Sequence, residues 1–175
     1  MDPSIIAATV ALMVSVAPTG RSRIEQARET ADEGRARYEQ IAEAAWDVAS
    51  ERPLFDGPRG VERSVALLLV VSNGESGFRR DVDLGQGPLA RGSGKDSCLM
   101  QVRTTTAHHR ELVADRRACF REGALRLKRS MNACRRNPPE YRLAAYGSGR
   151  CTAGLVMSRV RWRKSVEWAK RLAAR

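Results

Sequence analysis

Apolar side chains fall along this chain both in unbroken runs and at helical spacing, and the two patterns predict different elements. The first run, Ile5-Ile-Ala-Ala-Thr-Val-Ala-Leu-Met-Val-Ser-Val-Ala-Pro18, follows Asp2 and Ser4, either of which suits a helix N-cap, with Pro3 in the first turn. The run is short for crossing a bilayer, and the leader before it holds Asp2 and no Lys or Arg, which does not fit a secretory signal. A packed or interface-seeking helix is the favoured reading, and a membrane-seeking anchor is the alternative. Over residues 21–50 the spacing of Ile24, Ala27, Ala31, Tyr38, Ile41, Ala45 and Val48, with Glu and Arg between them, predicts an amphipathic helix docked on the domain or on another subunit. Pro53, Gly57, Pro58 and Gly60 then break the chain.

From Val61 a second unbroken run, Val65-Ala-Leu-Leu-Leu-Val-Val71, has enough β-branched residues that pattern alone leaves helix and strand open. Residues 79–103 place Gly85, Gly87, Gly92 and Gly94 among polar residues and read as loops with a short irregular sheet. Residues 106–136 are predicted helical, with Leu112, Val113, Cys119, Phe120, Leu125, Leu127 and Met131 as core positions, and Pro138-Pro139 ends that stretch. A further helix is expected from Pro139 through Tyr146. The tail sets Val160, Trp162, Val166, Trp168 and Leu172 among basic residues; no internal repeat is present.

Composition narrows this picture. At 175 residues and 42% hydrophobic content the chain has room for one compact domain with an extension and a true core. Thirty-one Lys and Arg against 20 Asp and Glu give a net charge of +11, which suits nucleic acid, an anionic membrane or the acidic bacterial wall equally. Three each of Trp, Tyr and Phe, without basic-aromatic interleaving, argue against single-stranded nucleic acid as a partner. Cys98, Cys119, Cys134 and Cys151 form no CxxC pair, and the two histidines, His108 and His109, are adjacent and expected to be solvated, so neither a metal site nor a Ser-His-Asp arrangement is expected. An even cysteine count suggests disulfides in an oxidising setting; four small buried side chains in a reducing cell is the other reading.

The candidate chemistry centres on Glu75. Its carboxyl stands behind the apolar run and near the negative end of any helix built from it, and both surroundings disfavour the charged form. A Glu kept protonated in that way suits general-acid work on a glycosidic oxygen. The segments Glu75-Ser-Gly-Phe78, Cys98-Leu-Met-Gln-Val102 and Leu143-Ala-Ala-Tyr146-Gly-Ser-Gly149 follow in that order. Over about residues 60 to 155 the chain thereby resembles the lytic transglycosylases with a lysozyme-like (SLT) domain, whose pattern is Glu-Ser-Gly-Phe, Gly-Leu-Met-Gln and Ala-Tyr-Asn-x-Gly. Two positions depart from it: Cys98 stands in place of Gly, which a disulfide would explain, and Gly147 in place of Asn.

The resemblance implies a mainly α, lysozyme-like fold (α+β with a small irregular sheet), and it decides for a helix over the apolar run that carries Glu75. It also implies cleavage of the MurNAc–GlcNAc β-1,4 bond of peptidoglycan without a cofactor. Glu75 would act first as acid and then as base while the muramyl C6 hydroxyl attacks. Ser76, Met100, Gln101 and Tyr146 match substrate-binding or site-bracing positions, with Ser76 expected mainly to brace the turn and the Tyr146 hydroxyl to approach the carboxylate. Asp81, Asp83 and Asp96 are the candidate second carboxylates of a hydrolase; all lie in Gly-rich sequence and are expected to face water, so the single-acid mechanism is preferred. The motif segments that should meet at the cleft adjoin Cys98 and Cys151, which suggests that pairing together with Cys119–Cys134, one of three connectivities.

The resulting organisation is an N-terminal helical extension over residues 1–52, the lysozyme-like domain over 53–158 and a basic C-terminal helix over 159–175. Glycan strands of peptidoglycan are the expected partner, with no transmembrane span. A phage-type wall-degrading protein, in a virion or at the cell envelope, is the expected setting, and the N-terminal helices are left as a surface for other particle proteins. The competing class is a structural particle component that kept the fold without the activity. The basic tail reads as a solvated helix with Trp and Val packed inward; attraction to teichoic acids, stem-peptide carboxylates or lipid headgroups is the functional alternative, and nucleic acid, not an expected partner, is a third.

Overall fold

The computed structural model describes residues 2–19, 28–86, 90 and 94–174, and these form a mainly helical protein with one two-stranded antiparallel sheet. Ile24 and Ala27, and the loop glycines Gly87 and Gly92, lie outside the described residues. Helix α1 (Pro3–Val16) starts as its sequence implies: the Asp2 carboxylate accepts from the Ser4 N–H at 2.8 Å, and Pro3 fills the first turn. Helix α2 (Ala31–Glu51) opens with a reciprocal capping box between Thr30 and Glu33. Its apolar stripe of Tyr38, Ile41, Ala45 and Val48 is buried, and Trp46 Nε1 donates to Thr9 Oγ1 at 3.0 Å, fixing α1 onto α2. No helix of the described residues is long and apolar enough to cross a membrane.

The second apolar run becomes helix α3 (Gly60–Ser76). A helix that is apolar on every face must be covered on every face. Val65 through Val71 are all buried, with α2, α6 (Arg116–Ala133) and α8 (Leu155–Ala173) packed around them. That enclosure resolves the helix-or-strand ambiguity of the β-branched sequence. One hydrophobic core takes in side chains from Ile6 on α1 to Leu172 on α8. Gly77 ends α3 in the left-handed conformation (φ 63°), its N–H reaching the Asn73 carbonyl, so Glu75 sits in the last helical turn.

Beyond α3 the chain forms a short helix α4 (Arg80–Asp83), then strands β1 (Asp96–Ser97) and β2 (Val102–Arg103), paired with Asp96 opposite Arg103. The single helical stretch expected over 106–136 is two helices, α5 (Thr106–Ala114) and α6. Asp115 divides them with extended backbone (φ −130°, ψ 107°), and its carboxylate caps α6 by accepting from the Arg117 N–H. The expected helix from Pro139 is a 3-10 turn (Pro139–Tyr141) followed by α7 (Ala144–Ser148).

The disulfides are present but their pairing corrects the expectation: Cys98 bonds Cys119 and Cys134 bonds Cys151. The reason is the length of α6. Cys119 lies near its start and Cys134 at its C-cap, so with a rise of about 1.5 Å per residue they stand roughly 22 Å apart, far beyond the reach of one bridge. Cys98–Cys119 therefore ties the β1–β2 turn to α6, and Cys134–Cys151 ties the end of α6 to the segment leading into α8. Two bridges fit an oxidising compartment.

Candidate active site

Glu75 opens into a polar cleft of about 490 Å³ whose walls include Asp96, Gln101, Arg103, Arg126, Tyr146 and Gly147. The three motif segments separated in sequence thus meet at one place, carried by the end of α3, the β1–β2 turn and α7. Of the residues singled out in the sequence, Glu75, Gln101 and Tyr146 line this cleft. The other two do not. Met100 is fully buried against α6, where a Cβ added to Gly123 would stand 2.5 Å from its terminal methyl. Ser76 is buried as well; its hydroxyl donates to the Ser72 carbonyl at 2.8 Å and accepts from the Phe78 N–H at 3.2 Å, closing the end of α3.

The β1–β2 turn owes its shape to two non-glycine residues in the left-handed region, Cys98 (φ 56°) and Gln101 (φ 45°). Glycine tolerates that conformation without a Cβ clash, whereas a side chain strains it. Here Cys98 holds it while bonded covalently to Cys119 on α6. The Gln101 side-chain amide donates to the Cys98 carbonyl at 2.9 Å and more weakly to that of Ala90 at 3.4 Å, so it braces the turn that it belongs to. The Tyr146 hydroxyl donates to the Met100 carbonyl at 2.7 Å; the expected donation to the Glu75 carboxylate is replaced by this bond across the base of the cleft. Burial, and after it the nearby Glu75 charge, push the Tyr146 phenol upward, so it stays neutral and a donor. Gly147 leaves open space: a Cβ there would meet no atom within 4 Å.

One residue of the site was not anticipated. Arg161, on α8, places Nη2 at 2.6 Å from Glu75 Oε1, with the two side chains 12% and 21% exposed. Among the described residues its buried Nε has no hydrogen-bond partner. Opposing influences act on Glu75. Burial raises its carboxyl above the ordinary value; the Arg161 charge and hydrogen bond lower it; and the Asp96 charge raises it again. Burial prevails, and the net direction is upward. The signal for Arg161 was its period: Ser158, Ser165, Trp168, Ala169 and Leu172 form the inward face of α8, and position 161 falls on the same stripe. That placement also corrects the tail pattern, since Val160 and Val166 are exposed.

The three acidic candidates separate cleanly. Asp96 lines the cleft and acts electrostatically on Glu75. Asp81 and Asp83 do not face water; they are buried, Asp81 paired with Arg79 and Asp83 with Arg116 (2.7 Å) and Arg37 (3.6 Å). That ion-pair cluster joins α4 to α2 and α6 and has no part in the cleft. Nor is the histidine pair wholly solvated: His109 is buried with Nδ1 2.7 Å from the Ser97 hydroxyl, while His108 pairs with Glu111 at 2.8 Å.

No protein-family model, curated protein or solved structure matches the chain.

Proposed function

We propose that the chain is a lysozyme-like glycosidase of the lytic-transglycosylase type, cleaving the MurNAc–GlcNAc β-1,4 bond of peptidoglycan. The observation that carries this reading is Glu75 itself: a carboxyl raised by burial, at the end of an apolar helix, facing an open polar cleft together with Gln101 and Tyr146. Glu75 gives its proton to the leaving glycosidic oxygen as the bond from that oxygen to the muramyl C1 breaks. The resulting carboxylate then takes the proton of the muramyl C6 hydroxyl as its oxygen bonds to C1, leaving a 1,6-anhydro end. Asp96 provides the branch point. If it orients a water instead, the product carries a reducing end. A virion or the bacterial envelope is the setting proposed for this activity, and the two disulfides agree with a site of action outside the reducing cytoplasm.

The second reading, an inactive structural module of a phage particle, is favoured by one observation. Arg161 of the chain's own α8 already occupies Glu75, and a guanidinium on a carboxyl resists its protonation. Digestion of purified peptidoglycan separates the readings. Anhydro-muropeptides are the expected product, and reducing ends would transfer the second step to water. Release of neither, from folded protein across the pH range, overturns the enzymatic reading.

A further inference from the structure

The outer face of α8 is unlike the rest of the surface. The inward face is used against α3, yet four large apolar side chains crowd its first two turns on the solvent side: Leu155, Val156, Met157 and Val160 are 36%, 69%, 50% and 38% exposed. Only four other large apolar residues of the described chain are as exposed, and three of those, Val16, Leu84 and Leu125, lie on other elements. Arg159, Arg163 and Lys164 are exposed beside this patch, with Lys170 and Arg171 further along. Among the described residues none of these five cations forms an ion pair, and Glu167 is the one acidic residue of the helix. An exposed apolar cluster bordered by unpaired cations marks a contact surface.

The chemistry of the face selects its occupant. A second copy of this chain would bring the same cations against themselves. A polyanion such as a nucleic acid or a wall polymer would satisfy the cations, but would leave Val156 and Met157 with nothing apolar to enter. A bilayer rich in anionic lipid satisfies both, because its headgroups attract Arg159, Arg163 and Lys164 while the acyl boundary accepts the apolar side chains between them. We propose that the first turns of α8 dock the protein on an anionic membrane surface. The start of α8 adjoins the cleft, since a Cβ on Gly154 would contact the Ala144 carbonyl and Ser148, and Ser148 and Gly149 line the cleft wall. Docking would therefore hold the cleft at the membrane face, toward the glycan nearest the bilayer. The binding itself is independent of the activity assigned to Glu75.

Co-sedimentation with large vesicles tests this, using phosphatidylglycerol mixed with phosphatidylcholine against phosphatidylcholine alone, at low salt and at about 0.5 M salt. The mixed vesicles should bind the full chain at least about tenfold more tightly than the neutral ones, and the excess should shrink with salt. Val156→Asp with Met157→Asp, at exposed positions, should reduce that binding about tenfold or more with the circular dichroism spectrum and melting temperature unchanged. Val156→Asn with Met157→Asn is the milder pair should the first disturb folding. Arg159→Gln, Arg163→Gln and Lys164→Gln together should abolish the preference for anionic vesicles. Absence of vesicle binding at low salt overturns the proposal. So does binding indifferent to the apolar substitutions, which would assign the face to a polyanion, or a salt-resistant dimer that those substitutions dissolve, which would assign it to a second copy.

Discussion

Replacing Arg161 with Gln removes the positive charge that faces Glu75 while keeping a polar side chain on the inward stripe of α8. In the native protein the guanidinium and carboxylate are in direct contact at 2.6 Å. Opposite unit charges with centres about 4 Å apart attract by about 4 kcal/mol at an effective dielectric of about 20. Part of that is offset, because Arg161 had to be desolvated and its Nε is buried without a partner, costs that a Gln escapes. Water in the cleft screens more of it, so the net loss at neutral pH should be about 1–3 kcal/mol. For a chain of this size that corresponds to a melting temperature lower by roughly 3–10 °C.

The diagnostic is its pH dependence. Glu75 lies above its ordinary value, so the folded chain holds that proton more tightly than the unfolded chain does. The resulting stability is complete below the unfolded value and is lost as pH rises through the folded value. Removing Arg161 takes away the influence that lowers Glu75, so the folded value climbs further and the loss spans a wider range. The deficit of the variant should therefore grow with pH: near zero, or a small gain, at about pH 4, where the carboxyl is neutral and there is no ion pair to lose, and largest at about pH 7.5. Urea denaturation of both proteins at the two pH values measures it. If glycan cleavage is detected, the alkaline limb of its pH profile should also move upward, since Glu75 keeps its proton longer. An equal deficit at both pH values would refute the reasoning, leaving only lost packing of the Arg161 side chain.

Glu75→Gln keeps the shape of the side chain but has no proton to give, so loss of turbidity by permeabilised cells should slow by at least about a hundredfold, and wild-type rates would remove Glu75 from the chemistry. Cys134→Ser with Cys151→Ser opens a bridge between residues 17 apart and should cost about 3 kcal/mol in chemical denaturation. Cys98→Ser with Cys119→Ser should cost a similar amount, and Cys98→Gly with Cys119→Ser about 1 kcal/mol less, because glycine accepts the left-handed backbone at position 98; equal losses in the two double variants would count against that strain. Gly147→Asn projects into open space and should leave the unfolding free energy within about 0.5 kcal/mol of the parent while adding an amide to the cleft wall; a large destabilisation would mean the wall is closed there.

Local physics wrote much of this protein into its sequence. Asp2 and Pro3 start α1 because the cap and the fixed φ act within one turn, and Tyr38, Ile41, Ala45 and Val48 mark the buried stripe of α2 by period alone. The end of the element at Glu75 was legible in the Ser-Gly that follows the apolar run, but that the element is a helix was open by pattern, rested on the resemblance, and is seen in α3. What the sequence left open turned on distance through space. The rise of the helix expected over 106–136 already stood against joining Cys119 to Cys134, but only the packing of the β1–β2 turn on α6 brings Cys98, and not Cys151, to Cys119. Asp81, Asp83 and Asp96 look alike in a Gly-rich stretch. They part company only because Arg37, Arg79 and Arg116 converge on two of them, while the β1–β2 pairing turns the third toward Glu75. Arg161 is the clearest case. In the sequence it is one cation in a basic tail, and only the packing of α8 along α3, a contact between segments more than eighty residues apart, brings it to the carboxyl whose protonation it opposes.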